Sequence, residues 1–118
     1  MSTVVDKPWG HELIWARTDR YVGKILHINA GQKLSRQYHN KKEETFMVDR
    51  GEMDLEIGAA PDIQIIHMKE RDTYHCLPKT IHRMVGATDC DVIEVSTNDL
   101  DDVVRLEDAY GREGTSKA

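Results

Sequence analysis

A chain of 118 residues, 39% hydrophobic and 31% charged, has material for one packed core and not for two, which excludes a two-domain enzyme within this length. Its 16 Lys and Arg against 21 Asp and Glu leave a net charge of -5 with no basic stripe and little aromatic interleaving, so no nucleic acid partner is expected. No apolar run approaches the ~20 residues of a spanning helix, and Met1 to Gly10 lacks the basic start and apolar middle of a secretory signal, so no membrane partner and a cytoplasmic address are expected. Cys76 and Cys90 are too few for a disulfide scaffold or a thiolate metal site and read as free thiols.

From Tyr21 to Ser96 the pattern has period 2, which predicts a β domain. Val22, Leu26 and Ile28 share one face of the first segment, and Phe46 and Val48 one face of the next. Met53, Leu55 and Ile57 alternate with Asp54 and Glu56, giving one apolar and one wet face. Ile63 and Ile65 are expected to share the apolar face of the segment after the Gly58 to Asp62 turn. Further turns are read at Asn29-Ala30-Gly31, Asp49-Arg50-Gly51, Arg71-Asp72 and Gly86 to Asp89. Leu100, Val103, Leu106 and Tyr110 fall at helical spacing behind Asp99, with Gly111 as a stop, which predicts a short C-terminal helix. Residues 1–112 read as one domain and 113–118 as a frayed or disordered end.

Strand parity turns Gln37 and His39 to one face, Glu44 to the face of Phe46 and Val48, and His82 to the face of Met84. Two imidazoles, a carboxylate and an amide oxygen at an inner wall suit a divalent cation of borderline hardness: Zn²⁺, Mn²⁺, Fe²⁺, Co²⁺ or Ni²⁺. Lys24 shares parity with Leu26 and Ile28, which sets an ammonium along an apolar inner face. His11, His27, His67 and His75 show no partner pattern and read as surface or structural; Trp9 and Trp15 read as core or interface.

The spacing Gly31-x5-Gln37-x-His39-x4-Glu44-x6-Gly51, followed by Pro78-x3-His82, resembles the two motifs of the cupin superfamily, with Gln37 where most cupins carry a His. Lys7-Pro8-Trp9-Gly10, Leu34-Ser35-Arg36-Gln37-Tyr38-His39, Ile93-Glu94-Val95 and Asp102 to Arg112 resemble, in order, stretches of the isomerase domain of bacterial bifunctional mannose-1-phosphate guanylyltransferase/mannose-6-phosphate isomerases. The resemblance implies an all-β, single-domain jelly-roll barrel with a divalent metal inside, held by Gln37, His39, Glu44 and His82. It implies a small-molecule sugar phosphate as partner, interconverted between aldose and ketose, and, as cupins commonly pair, a homodimer covering open sheet edges.

Within that reading Glu44 and Lys24 are the catalytic candidates, with a metal-bound hydroxide as another base. Lys24, Lys42, Arg83 and Arg105 are the substrate-binding candidates, Arg83 with a parity that turns it away from the metal. Arg105 and Arg112 are expected to close the barrel mouth from the tail helix. Asn40, Lys41 and Lys42 stand where the family carries two His and an Arg, Arg36 replaces an apolar residue, and Leu77-Pro78-Lys79 replaces a Pro-x-Gly turn. No Gly-rich phosphate loop is present, so guanylyl transfer is not expected. Two other functions compete: a non-catalytic metal-containing cupin that binds a sugar or sugar nucleotide, and an Fe-dependent dioxygenase using His39, His82 and Glu44.

Overall fold

In the computed structural model, which describes residues 2–99 and 101–116, alternating hydrophobicity becomes strands and nothing else regular: no helix occurs among the described residues. The strands are β1 (Thr3–Lys7), β2 (Gly10–Arg17), β3 (Tyr21–Ile28), β4 (Arg36–Tyr38), β5 (Glu44–Arg50) and β6 (Met53–Ile57). They continue with β7 (Gln64–Met68), β8 (Thr73–Cys76), β9 (His82–Gly86), β10 (Cys90–Thr97), β11 (Val103–Glu107) and β12 (Gly114–Ser116). Two six-stranded antiparallel sheets pack face to face: sheet A in the order β1-β2-β3-β10-β5-β8, sheet B in the order β12-β11-β4-β9-β6-β7. This is the all-β jelly roll that the sequence predicts.

The inward face changes character along each strand. On β3 it runs from Lys24 to Leu26 and Ile28, on β5 from Glu44 to Phe46 and Val48, and on β10 backwards from Glu94 to Val92 and Cys90. Ile28, Phe46, Val48, Met53, Leu55 and Val92 are fully buried and fill one end of the sandwich. Each such side chain contributes about 1.5–3 kcal/mol on removal from water. The polar ends of the same strands line a cavity at the other end, so the packed core holds the cavity walls in place.

Three expectations are corrected. The C-terminal helix is absent: Val103–Glu107 is a strand paired with β4 and β12, and Leu100 lies outside the described residues. Val103 and Arg105 both point inward, and two β-branched residues in succession favour the extended chain. Gly114–Ser116, read as part of a frayed end, forms β12 against β11; residues 117–118 lie outside the described residues. On β7, Ile65 is 63% exposed, while Ile66 and Met68 face inward opposite Leu55 and Met53. The inward face there is therefore one residue out of step with the predicted Ile63 and Ile65.

Candidate metal centre

Three chain-distant elements converge at the cavity: the loop after β4 supplies His39, the start of β5 supplies Glu44, and the start of β9 supplies His82. Glu44 Oε2 lies 3.2 Å from His39 Nε2 and 3.3 Å from His82 Nε2, and all three side chains are buried. The other nitrogen of each ring is committed to a backbone carbonyl: His39 Nδ1 to Asp102 O at 2.5 Å, His82 Nδ1 to Thr80 O at 2.8 Å. With Nδ1–H donating, each Nε2 presents a lone pair to the same point. Neither short contact has hydrogen-bond geometry, and Glu44 Oε2 is left as a buried oxygen without a partner. Three converging lone pairs repel unless a cation lies among them, so this donor set fits a divalent ion. Gln37 lines the same cavity, in register with His82 across β4 and β9.

Charge around this point is paired in a chain. Lys42 Nζ lies 3.2 Å from Glu44 Oε1 and 3.3 Å from Glu94 Oε2, and Lys24 Nζ lies 3.4 Å from Glu12 Oε1. Burial alone lowers the Lys42 pKa, but Glu94 and Glu44 outweigh it and raise the value above the ordinary lysine range. Burial alone raises Glu44; Lys42 and the two imidazoles more than reverse this and hold the carboxyl well below its usual range. Burial pushes Glu94 up, against the pull of Lys42. In the metal-free chain His82 is raised to about 10, because Cys76 and the Glu44 carboxylate outweigh burial. A proton there occupies the place that a metal ion would take.

The cavity, about 50 Å³, is lined by Lys7, Lys24, Lys42, Arg105 and Arg112 against Glu12, Glu44 and Glu94. Of the residues singled out in the sequence, Gln37, His39, Glu44, His82, Lys24, Lys42 and Arg105 therefore meet here. Arg83 does not: it is buried on the outer side of sheet B, where its Nε donates to Leu34 O. Its backbone register opposite Glu56, away from the inward Leu55, is the physical reason. Arg105 reaches the cavity from strand β11 instead of a helix, and Arg112 pairs with Asp108 through Nε at 2.8 Å. Sequence reading missed Glu12, Glu94 and Lys7; the parity of Val92, Glu94 and Ser96 is the signal that identifies Glu94.

Comparison with known proteins agrees with this architecture. Residues 1–108 match the family model described as mannose-6-phosphate isomerase C-terminal. The chain is 32% identical over 120 residues to the mannose-1-phosphate guanylyltransferase of Escherichia coli, covering 92% of this chain and 23% of that protein. The chain thus spans about a quarter of that relative's length. Among solved structures, the sugar phosphate isomerase from a cupin superfamily of Silicibacter pomeroyi superposes with a TM-score of 0.69 at 17% identity, over 89% of this chain and 74% of that one. KdgF from Halomonas sp. superposes with a TM-score of 0.71 at 17% identity, over 80% and 86%. These two likenesses establish a cupin fold. With a family model spanning nearly its whole length, the chain belongs to the mannose-6-phosphate isomerase C-terminal family.

Proposed function

We propose that this chain is a metal-dependent aldose-ketose isomerase of a sugar phosphate, with mannose 6-phosphate and fructose 6-phosphate as the pair. The observation that carries the reading is the charge of the cavity. Five cationic side chains against three carboxylates surround the His39, Glu44 and His82 cluster, inside a chain whose net charge is -5. A cavity of that sign selects an anion such as a phosphate ester. The family and the likeness to the Silicibacter pomeroyi sugar phosphate isomerase support the same substrate class.

His39, Glu44 and His82, with Gln37 beside them, would hold the ion. Bound there, it would supply Lewis-acid stabilisation of the negative charge that develops on the sugar during enolisation. Lys24, near the cavity wall with Glu12, and Arg105 would orient the anionic end of the substrate. Lys42, held between two carboxylates, keeps Glu44 aimed at the imidazoles. With Glu44 Oε1 held by Lys42 and Oε2 left for the ion, Glu94 is the carboxylate in this cavity better suited to carry the proton between C1 and C2. The working unit of this reading is a homodimer in the cytoplasm.

A second reading, binding without turnover, draws on the small cavity: about 50 Å³ holds only a few waters until the Lys24 and Lys42 pairs rearrange. A coupled assay on tag-free protein, stripped and reloaded separately with Mn²⁺, Co²⁺, Zn²⁺ and Fe²⁺, separates the two. The isomerase reading predicts turnover that is lost in Gln37→Ala and His82→Ala. Glu94→Gln is expected to lose at least ~100-fold in kcat while keeping its metal. Tight sugar phosphate binding without turnover, in protein holding one ion per chain, selects the second reading. Oxygen uptake with iron and none with manganese selects dioxygenase chemistry.

A further inference from the structure

The outward faces of the two sheets are built differently. On sheet B the outward positions of the central strands carry Asp54, Glu56, Arg83 and Arg36, and Arg36 is tied to Glu56 and Glu107 at 2.6 Å each. On sheet A an outward row crosses five strands in register as Val4, Leu13, Ile25, Ile93 and Met47. In the next row the Trp15 ring lies over Gly23, with Val95 opposite that glycine. Val4 is 62% exposed, and Trp15 and Val95 are each 47% exposed. An antiparallel sheet with one face in water alternates apolar and polar residues, so a continuous apolar band on the outer face marks a surface that is covered in use.

The row on the other side of this band is polar and in register across the same strands: Asp6, His11, His27, Asp91 and Arg50. His11 and His27 stack with ring centroids 5.0 Å apart, and His27 Nδ1 is 2.7 Å from Asp91 Oδ1. The order of charges along this row decides how a copy of the same face can dock.

We propose that a second copy of this chain covers sheet A with its own sheet A, about a two-fold axis running along β3. The inference rests on the homodimer of the preceding section and adds its face and its axis. An axis along the strands exchanges β1 with β5 and β2 with β10 while β3 meets itself. Asp6 then faces the partner's Arg50, His11 faces the partner's Asp91, Leu13 faces the partner's Ile93, and Ile25 meets the partner's Ile25. An axis in the same plane but across the strands would instead lay the polar row on the Trp15 and Val95 row, burying charge against apolar surface. Five strands at ~4.8 Å by about six residues at ~3.3 Å give roughly 480 Å² in plan. With side-chain relief this approaches the ~800 Å² per partner of a standard interface.

Size-exclusion chromatography with light scattering, over a range of concentrations, tests the pair and its geometry separately. The wild-type chain is expected at twice its 13.5 kDa mass. Ile25→Glu sets two carboxylates against each other on the axis and is expected to give a monomer with unchanged circular dichroism. Asp6→Arg, a surface change that leaves folding intact, is expected to weaken the pair at least ~10-fold by facing the partner's Arg50. The double change Asp6→Arg with Arg50→Asp is expected to restore it. Ile65→Lys, on the outer side of sheet B, is expected to leave the mass unchanged. A wild-type monomer at all concentrations overturns the pair itself. A dimer that survives Ile25→Glu overturns the face, and a double variant as weak as Asp6→Arg alone overturns the axis.

Discussion

Glu44 Oε2, buried between two imidazole nitrogens with no hydrogen bond of its own, is the atom on which the site turns. Cys76 and the Glu44 carboxylate outweigh burial and raise His82 to about 10, above the ordinary histidine value of 6.5, so that a proton relieves the conflict where no ion does. A raised folded-state pKa means that this stabilisation is fully present below about pH 6.5 and is lost as pH rises through about 10. Metal uptake at neutral pH must displace that proton. Isothermal titration in buffers of differing ionisation enthalpy is expected to show about one proton released per ion at pH 7.5; uptake with no release contradicts the arrangement. Lys42 belongs to the same balance, since it neutralises Glu44 and Glu94 together. Lys42→Met leaves two buried carboxylates without their cation, an expected loss of about 3–5 kcal/mol by denaturant unfolding. Metal affinity is expected to fall about 10–100-fold in the same variant, as the orientation of Glu44 loosens.

The elements that present these residues are set by contacts outside the cavity. Asp102, just before β11, accepts from the backbone N–H groups of Asn40, Lys41 and Lys42, and its own carbonyl accepts from His39. Burial alone would raise its pKa; the three N–H groups more than offset this and hold the carboxyl below its usual range. The stability it provides is therefore present above the ordinary carboxylate pKa and is lost as pH falls through its own lower value. Asp102→Ala is expected to cost about 1–2 kcal/mol at pH 7 and to shift acid unfolding to higher pH, both readable by circular dichroism. Sequence reading located the strands whose inward residues are apolar, such as Met53–Ile57, and misread β11. There the inward partner of Val103 is Arg105, so the alternation of a strand is hidden by the charge the cavity requires. The same substitution of charge for apolar residues concealed Glu12 and Glu94. On β7 three isoleucines within four positions fit either parity, and only the pairing of Ile66 with Leu55 decides between them. The Lys7-Pro8-Trp9-Gly10 motif was legible as a family mark but not as a contact. Trp9 is buried in the cavity wall, and a Cβ on Gly10, at φ +154°, would lie 1.9 Å from His27 O.

Across the whole molecule, charge is sorted by location: a net charge of -5 overall, an excess of cations inside the cavity, and an ion-paired outer face on sheet B. That sorting is the feature of this chain on which the proposed sugar phosphate chemistry rests. It predicts that kcat/KM for a phosphorylated sugar falls several-fold between low and high ionic strength, while binding of the same sugar without its phosphate stays weak and indifferent to salt. The most direct test of the account is a proton NMR time course of mannose 6-phosphate in deuterium oxide with metal-loaded protein. The account predicts fructose 6-phosphate appearing with solvent deuterium at the carbon that receives the proton, at a rate that collapses in His82→Ala. Neither fructose 6-phosphate nor exchange of the C2 proton, in protein that holds one ion per chain, would contradict it.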